Sequence, residues 1–519
     1  MADAPFIPDL KTLPDDPAAL RQIIVVLLEQ RGKDQAQMAH LKEQVKALLS
    51  RLYGRKSEKW DPKQGLLTDI LAEALSQPAA PVPESAPVTV GAHPRRHTPH
   101  GRTKDFPDTI RHEEHIIKVP DEQRKCPVTG QERPVIGYEI TKKIDYIPAE
   151  LIINVYKREK LGSISGAEEV GVLTAPAISS AAPRSLLDDG LIAQLIVSKY
   201  ADHLPLYRQE QMFARLGLNI SRKTMCGTLM AVAEPLARMA DRIKMNILAS
   251  PTVHHDDTPV DLLLERLDGE RNIREARLWA ASVTPRDGPW VYFEFATDRS
   301  ADTAERFFRD YKGNIICDAY RGYDALENTL RHLCGCWVHV RRKFFDAFKS
   351  GQPEAVEALE IIRELYLIER ETPMERTFDT QRLTLRQHHA WPLLGALLER
   401  LLAWEGRVLP KSLMGKAVRY ALNNWNRLLR FLENPALPLD NNAIEQMIRP
   451  VALGRKNWLF VGSEAGGHAA AVYMTIMATC KRANVNPAVY FKDILGRIMD
   501  HPVSRLDELL PGIWKPINA

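Results

Sequence analysis

Near the start of the chain, apolar residues recur in alternating steps of four and three. The positions in this series are Leu20, Ile24, Leu27, Arg31, Asp34, Met38, Leu41, Val45, Leu48 and Leu52. The spacing is typical of a coiled-coil seam, so it predicts a zipper-like helix within residues 1–60 that self-associates. Arg31 and Asp34 interrupt the seam, and one amphipathic helix packed on its own domain is the alternative.

Proline and cationic residues replace this pattern between residues 61 and 107. Such a composition predicts a linker between folded domains. Arg95 and Arg96 in the linker, and Arg55, Lys56 and Lys59 just before it, are either solvated charges or contacts to nucleic-acid phosphates.

Helical periodicity fills residues 181–248 and is broken twice, at residues 203–205 and 217–219. Ser221 follows the second break and can cap the next helix. The pattern therefore predicts a helix-turn-helix, whose last helix begins with Arg222 and Lys223 where a recognition helix would face a DNA groove. Helix pairs joined by a glycine turn also occur in domains that bind no DNA, so both interpretations stay open.

From Pro251 onward, short alternating runs predict strands. They cover residues 252–255, 277–283, 290–295 and 314–317. Helices are predicted at residues 300–309, 338–348, 353–371, 392–407, 442–449, 465–482 and 487–498. The expected fold class is multidomain, α and α/β. Residues 249–460 form an α/β domain with a helical insertion at about 350–435, and residues 461–519 form a C-terminal helical region.

Composition narrows the class of protein. A length of 519 residues predicts several domains, and 45% hydrophobic with 26% charged residues is typical of globular proteins. The short apolar runs and the absence of a secretory signal at the start predict a cytosolic protein. Six scattered cysteines predict reduced thiols. A net charge of +4 permits nucleic-acid binding without demonstrating it.

Acidic residues follow two of the predicted strands. Asp256 and Asp257 stand at the end of the first, and Asp318 stands at the end of another. Carboxylates at strand ends can converge in one cleft, although single aspartates there more often serve as caps or turn residues. Glu445 is the third candidate, and Asn442 three residues before it also fits a capping box.

The surroundings of these acids suggest metal and phosphate chemistry. Arg449, Arg455 and Lys456 follow Glu445 closely, so cations suited to phosphate lie beside an acid suited to metal. Magnesium prefers oxygen ligands, and a few carboxylates plus substrate phosphate complete its shell. The span from Cys334 through Cys336 to His339 offers two thiols and an imidazole, but we interpret it as structural packing rather than a zinc site.

Several motifs, taken in order, resemble the insertion sequence 66 family of bacterial transposases. They are Tyr53-Gly-Arg-Lys-Ser-Glu-Lys59, His203-Leu-Pro-Leu-Tyr-Arg208, His254-His-Asp-Asp-Thr-Pro-Val260, Asp318-Ala-Tyr-Arg-Gly-Tyr323, Cys336-Trp-Val-His-Val-Arg-Arg-Lys-Phe344, Leu439-Asp-Asn-Asn-Ala-Ile-Glu445 and Gly454-Arg-Lys-Asn-Trp-Leu-Phe460. They span almost the whole chain.

The resemblance implies an RNase H-like catalytic core with a DDE triad of Asp256, Asp318 and Glu445. It implies Mg2+ as cofactor, with Mn2+ able to substitute. The implied activity is cleavage and strand transfer of double-stranded DNA at terminal inverted repeats, by a bacterial cytoplasmic homo-oligomer acting beside accessory proteins of the same element. The basic residues expected to contact DNA are Arg55, Lys56, Lys59, Arg95, Arg96, Arg222, Lys223, Arg341, Arg342, Lys343, Arg449, Arg455 and Lys456.

Three departures from the family pattern stand out. Gln446 replaces an arginine that often follows the glutamate, and His255 and Asp257 replace an alanine and a glutamate. Residues 108–180 resemble the family's zinc-binding region, yet Cys126 is the only thiol there, so we expect no zinc.

Strand geometry separates the two neighbouring aspartates. Successive strand side chains point to opposite faces, so only one of Asp256 and Asp257 can bind metal, and the family motif indicates Asp256. A DNA-binding protein without catalysis and a nuclease that does not join strands are the alternative functions.

Overall fold

The structure is a computed structural model. It describes residues 150–161, 173–174, 179–183, 185–264, 272–328 and 330–516. The predicted zipper, the linker, Cys126 and the basic residues from Arg55 to Arg96 lie outside the described residues. All elements below belong to one compact unit, which includes residues 153–519. Within the described ranges, no helix combines the length and apolar character needed to cross a membrane.

Helices make up most of the described chain. They are α1 Asp189–Tyr200, α2 Leu206–Arg215, α3 Arg222–Leu248, α4 Ala301–Phe307, α5 Trp337–Lys349, α6 Ala355–Arg370, α7 Asp379–Leu385, α8 Trp391–Glu405, α9 Leu413–Asn423, α10 Trp425–Leu429, α11 Asn442–Trp458, α12 Glu464–Arg482 and α13 Pro487–Leu495. Short 3-10 helices lie at Pro285–Asp287, Arg321–Leu326, Arg376–Phe378, Arg430–Leu432 and Val503–Leu509, and a π-helical turn at Arg386–Ala390 joins α7 to α8.

The strands form one small ladder and one large sheet. They are β1 Lys160–Leu161, β2 Leu173–Thr174, β3 Thr252–Leu263, β4 Ile273–Val283, β5 Val291–Ala296, β6 Gly313–Ile316, β7 Arg331–Cys334 and β8 Phe460–Val461. β1 pairs with β2, and the large sheet has the order β5-β4-β3-β6-β7. β3, β4 and β5 are antiparallel to one another, whereas β6 and β7 run parallel to β3.

Two short strands pair with different parts of the same edge of β3. β6 pairs with residues 252–254 of β3, and β8 pairs with residues 261–262. Between these pairings lies a gap from residue 255 to 260, which contains both aspartates of β3. The candidate site lies beside this gap.

Helices α11 and α12 cover one face of the sheet. Their buried residues Ile444, Ile448 and Val451 from α11 and Ala471 from α12 pack with β3, β4 and β5. α12 also protects the edge strand β5, because Thr475 accepts a hydrogen bond from the Phe293 N–H, and Thr479 accepts one from Val291. α12 thus satisfies backbone groups that a further strand would otherwise bond.

A second core lies in the helical insertion. It is built from α5, α6, α8, α9 and the segment before α11, with Trp337, Phe344, Ile362, Leu397 and Val418 fully or almost fully buried. Helices α6 to α10 occupy the stretch where the sequence predicts an insertion. This bundle therefore separates the strand-borne acids from the glutamate helix along the chain.

Several element bounds differ from those predicted. β3 continues to Leu263, so Asp256 and Asp257 lie inside a strand rather than at its end, which corrects the sequence-based prediction. The helix predicted to end at residue 449 runs on through Pro450 to Trp458, since Ile448 and Val451 continue its buried face. β7 and β8 had no separate signal in the pattern.

Candidate active site

The two aspartates of β3 have different environments, as strand alternation predicts. The side chain of Asp257 is only 1% exposed and pairs with Arg277 at 3.1 Å and Arg299 at 2.8 Å. Asp256 accepts a hydrogen bond only from the Asp257 N–H, at 2.8 Å, among the contacts of the described residues. Asp257 is therefore neutralised by protein cations, and Asp256 is not.

Asp318 comes next to Asp256 through the parallel pairing of β3 and β6. His254 is the register partner of Ile316, and each aspartate follows that pair by two residues. Neighbouring strands lie about 4.8 Å apart, so the two carboxylates leave the sheet side by side. Arg299 lies 3.6 Å from the Asp318 carboxylate and so links it to Asp257.

Glu445 lies in the first turn of α11 and reaches the same place. Its carboxylate is 3.6 Å from Arg342 and 3.8 Å from the His339 imidazole, both on α5. Burial first, and then the charges of Asp318, Asp257 and Glu445, raise the pKa of Asp256 to about 7. The carboxyl groups of Asp318 and Glu445 are therefore close enough to Asp256 to affect its ionisation.

Asn441 connects the start of α11 to β3. The residue is fully buried. Its Oδ1 is 2.9 Å from His254 Nδ1, and its Nδ2 donates to the His255 carbonyl at 3.0 Å. These bonds fall in the gap beside β3, immediately before Asp256. Arg455, from the other end of α11, donates to the Pro259 carbonyl in the same gap.

The capping-box alternative for Asn442 and Glu445 is wrong. Asn442 is the first residue of the helix, and the N-cap position belongs to Asn441, whose side chain caps nothing. Asn442 instead bonds Asp440 through its backbone N–H at 3.0 Å and its side chain at 2.9 Å. Tyr366 of α6 also donates to Asp440, at 2.9 Å. The Glu445 carboxylate is therefore free of a capping role.

The segment from Cys334 to His339 packs into the fold as predicted, with Cys334, Cys336 and Trp337 buried. Cys334 is buried in the core of the helical insertion. Cys336 and His339, however, lie beside Glu445, and ligand atoms of the three residues are all within 4.8 Å of one another. Local spacing carries no signal for this grouping, because Glu445 comes more than one hundred residues later.

The basic residues predicted to contact DNA have varied surroundings. Arg222 is 61% exposed and pairs with Glu210, and Ser221 caps α3 by accepting from the Thr224 N–H, as predicted. Lys343 lies over the Tyr420 ring. The predicted residues whose side chains are exposed are Arg222, Lys223, Arg342, Arg449 and Lys456, whereas Arg341, Lys343 and Arg455 are partly buried.

Comparison with known proteins identifies the family. Residues 184–469, more than half of the chain, match the family model described as "Transposase IS66 family". The chain belongs to this family. Residues 475–511 match the "IS66 C-terminal element", and residues 40–114 match "Transposase C of IS166 homeodomain". The family resemblance expected from the motifs is confirmed.

Curated relatives of this IS66-family chain come from Sinorhizobium fredii. The uncharacterized protein y4jD is 33% identical over 417 residues, which cover 77% of this chain and 80% of the relative. The uncharacterized protein y4qI is 30% identical over 553 residues, with 97% and 98% covered. Among solved structures, the Drosophila P element transposase strand transfer complex matches at 12% identity and a TM-score of 0.32, covering 56% of this chain and 92% of that one.

Proposed function

We propose that this IS66-family transposase is a DDE enzyme in which Asp256, Asp318 and Glu445 carry out metal-dependent DNA cleavage and strand transfer. The observation that supports this most is the convergence of the three acids. The carboxyls of Asp318 and Glu445 both act on Asp256, although the three residues come from distant parts of the chain. Acids that serve only as helix caps or turn residues have no reason to lie close enough to interact electrostatically.

The sheet supports an RNase H-like core. Its first three strands are antiparallel, and the fourth and fifth run parallel to the first. Asp256 lies on the first strand of this sheet, Asp318 follows the fourth, and Glu445 lies on a helix that comes after the insertion. This is the arrangement that the family resemblance implies.

The acids fit a divalent metal. Their oxygens are the donors that magnesium prefers, with manganese expected to substitute, and Asp256 lacks the arginine partners that neutralise Asp257. Metal ions held there would activate the attacking oxygen and stabilise the leaving oxygen of a phosphodiester.

The remaining residues orient the acids and receive DNA. Arg299 holds Asp318 against the sheet, and Asn441 fixes the start of α11 against β3. Exposed Arg342, Arg449 and Lys456 are suited to phosphate contacts near the acids. The expected substrates are the terminal inverted repeats of an element and a target duplex, and assembly on two ends would require more than one copy of the chain.

Amide substitution tests the triad. Asp256→Asn, Asp318→Asn and Glu445→Gln keep side-chain shape but remove charge, so each should abolish cleavage and joining of labelled element ends in magnesium while leaving binding of the repeat largely intact. Cleavage without joining in the unaltered chain would favour the nuclease alternative. Binding without cleavage would favour the non-catalytic one.

Asp257→Asn is the matched control. Breaking its buried ion pairs should lower the free energy of unfolding by roughly 3 kcal/mol, because two arginines lose a buried partner. Measurable cleavage should remain at temperatures where the variant is folded. An inactive Asp257→Asn beside an active Asp256→Asn would move the catalytic role by one residue.

A further inference from the structure

Three chemically different side chains meet at the start of α5. The Sγ of Cys336, a ring nitrogen of His339 and a carboxylate oxygen of Glu445 all lie within 4.8 Å of one another. The His339 Nε2 and Glu445 Oε1 atoms are 3.8 Å apart, too far for a hydrogen bond. The group is therefore close together without being bonded internally.

Two of these side chains have a buried polar atom without a hydrogen-bond partner. The Oε1 of Glu445 is buried and has no hydrogen-bond partner, and the same holds for Nδ1 of His339. Buried polar atoms without partners are costly, so a ligand for them would stabilise the fold.

The sulfur of Cys336, unlike these two atoms, has a hydrogen-bond donor beside it. Cys336 is 2% exposed, and the Asn441 N–H points at its Sγ from 3.3 Å. N–H groups directed at sulfur stabilise a thiolate once a metal has displaced the proton.

The donor set selects the kind of metal. Sulfur, imidazole nitrogen and one carboxylate oxygen suit zinc, whereas magnesium prefers oxygen alone. In a tetrahedral zinc site the ligand atoms would be separated by roughly 3.3–3.6 Å, from zinc bond lengths of about 2.0–2.3 Å. The His339 Nε2 and Glu445 Oε1 atoms, 3.8 Å apart, are already close to this separation, and any pair near the 4.8 Å limit would have to move closer on binding. His339 and Glu445 are 21% and 28% exposed, so an ion can enter from the acid cleft.

We propose that Cys336, His339 and Glu445 form a zinc site, with water as the fourth ligand, that shares Glu445 with the catalytic metal centre. The binding of zinc stands on the geometry of these three residues. One consequence rests on the proposed function: because zinc would draw the Glu445 carboxylate away from its place beside Asp256 and Asp318, micromolar zinc would inhibit magnesium-dependent cleavage. The site would thus make transposition sensitive to free zinc.

Cobalt(II) is the probe, since it takes zinc sites and reports its ligands by absorption. Metal-free full-length protein should bind one cobalt ion with tetrahedral d–d bands and a sulfur-to-metal charge-transfer band. Cys336→Ser should lose the sulfur band, and His339→Gln should weaken cobalt binding by at least about tenfold. Zinc should displace the cobalt.

Cys334→Ser and Cys126→Ser are the matched controls, and both should keep the sulfur band. Cys334 is buried two residues away in the helical core, and Cys126 is the lone thiol of the predicted zinc-free region. A sulfur band that survives in folded Cys336→Ser, or its absence from the unaltered protein, overturns the site. If Cys336→Ser does not fold, unchanged affinity in His339→Gln overturns it equally. These readouts require no cleavage, so an inactive transposase with an intact sulfur band would refute only the proposed function.

Discussion

The variant Asn441→Ala should distinguish two roles of Asn441, positioning Glu445 for cleavage and stabilising the folded domain. The substitution removes both side-chain bonds of a fully buried residue, one with His254 at 2.9 Å and one to the His255 carbonyl at 3.0 Å. These bonds are the direct connection between the start of α11 and the backbone just before Asp256. Without these bonds, Asn441 no longer holds Glu445 in a fixed position relative to Asp256.

The expected magnitudes follow from those two bonds. Leaving two buried polar groups without partners costs about 1–3 kcal/mol each, so the free energy of unfolding should fall by roughly 2–6 kcal/mol. A displacement of a catalytic group by about 1 Å costs on the order of 100-fold in rate. Cleavage per folded molecule should therefore fall about 100-fold, which loss of folded protein alone would not explain.

Thr479→Val is the matched control for this measurement. Thr479 is also fully buried and bonds the N–H and the carbonyl of Val291, as well as the Thr475 carbonyl of its own helix, but it does so at the β5 edge of the sheet. Single-turnover cleavage of labelled ends should be measured for both variants below their melting temperatures, with the folded fraction taken from circular dichroism. Equal cleavage by Asn441→Ala and the unaltered protein, or equal losses in both variants, would refute the positioning role of Asn441.

Three further predictions concern other parts of the chain. The pKa of Asp256 is raised to about 7, so its charge destabilises the metal-free fold progressively as pH rises from about 4 to above 7. Magnesium should therefore raise the melting temperature more at about pH 8 than at about pH 5. The variant Asp256→Asn should remove this difference. Deletion of residues 1–60 should lower the oligomeric state, and an unchanged mass distribution in sedimentation would exclude the zipper. Metal analysis should find no zinc that depends on Cys126, and a tightly bound zinc lost in Cys126→Ser would contradict the interpretation of residues 108–180.

The sequence predicted the acids better than it predicted what positions them. Asp318 follows its strand as expected, because a short β-branched run before a turn is a local signal. Asp256 lies inside β3 rather than at its end, since pairing with β4 extends the strand past the point where alternation stops.

Long-range contacts account for the residues that were missed. Asn441 looks like one more polar residue before a helix, and its importance depends on bonds to residues about 187 positions earlier. Cys336 and His339 likewise acquire meaning only when α11 is placed beside α5. Local periodicity carries no information about either pairing, whereas the order of family motifs directs attention to Glu445 from the sequence alone.

The gap along β3 has a consequence for the order of synthesis. Strand β3 and the helices before it leave the ribosome long before α11, and the gap stays without Asn441, Glu445 and Arg455 until the last fifth of the chain is made. Contacts so distant in sequence form late in folding. A nascent or truncated chain that ends before α11 would carry the predicted DNA-binding helices with an incomplete set of acids. If Asp256, Asp318 and Glu445 are the catalytic acids proposed above, such a product lacks one of them and cannot cut DNA.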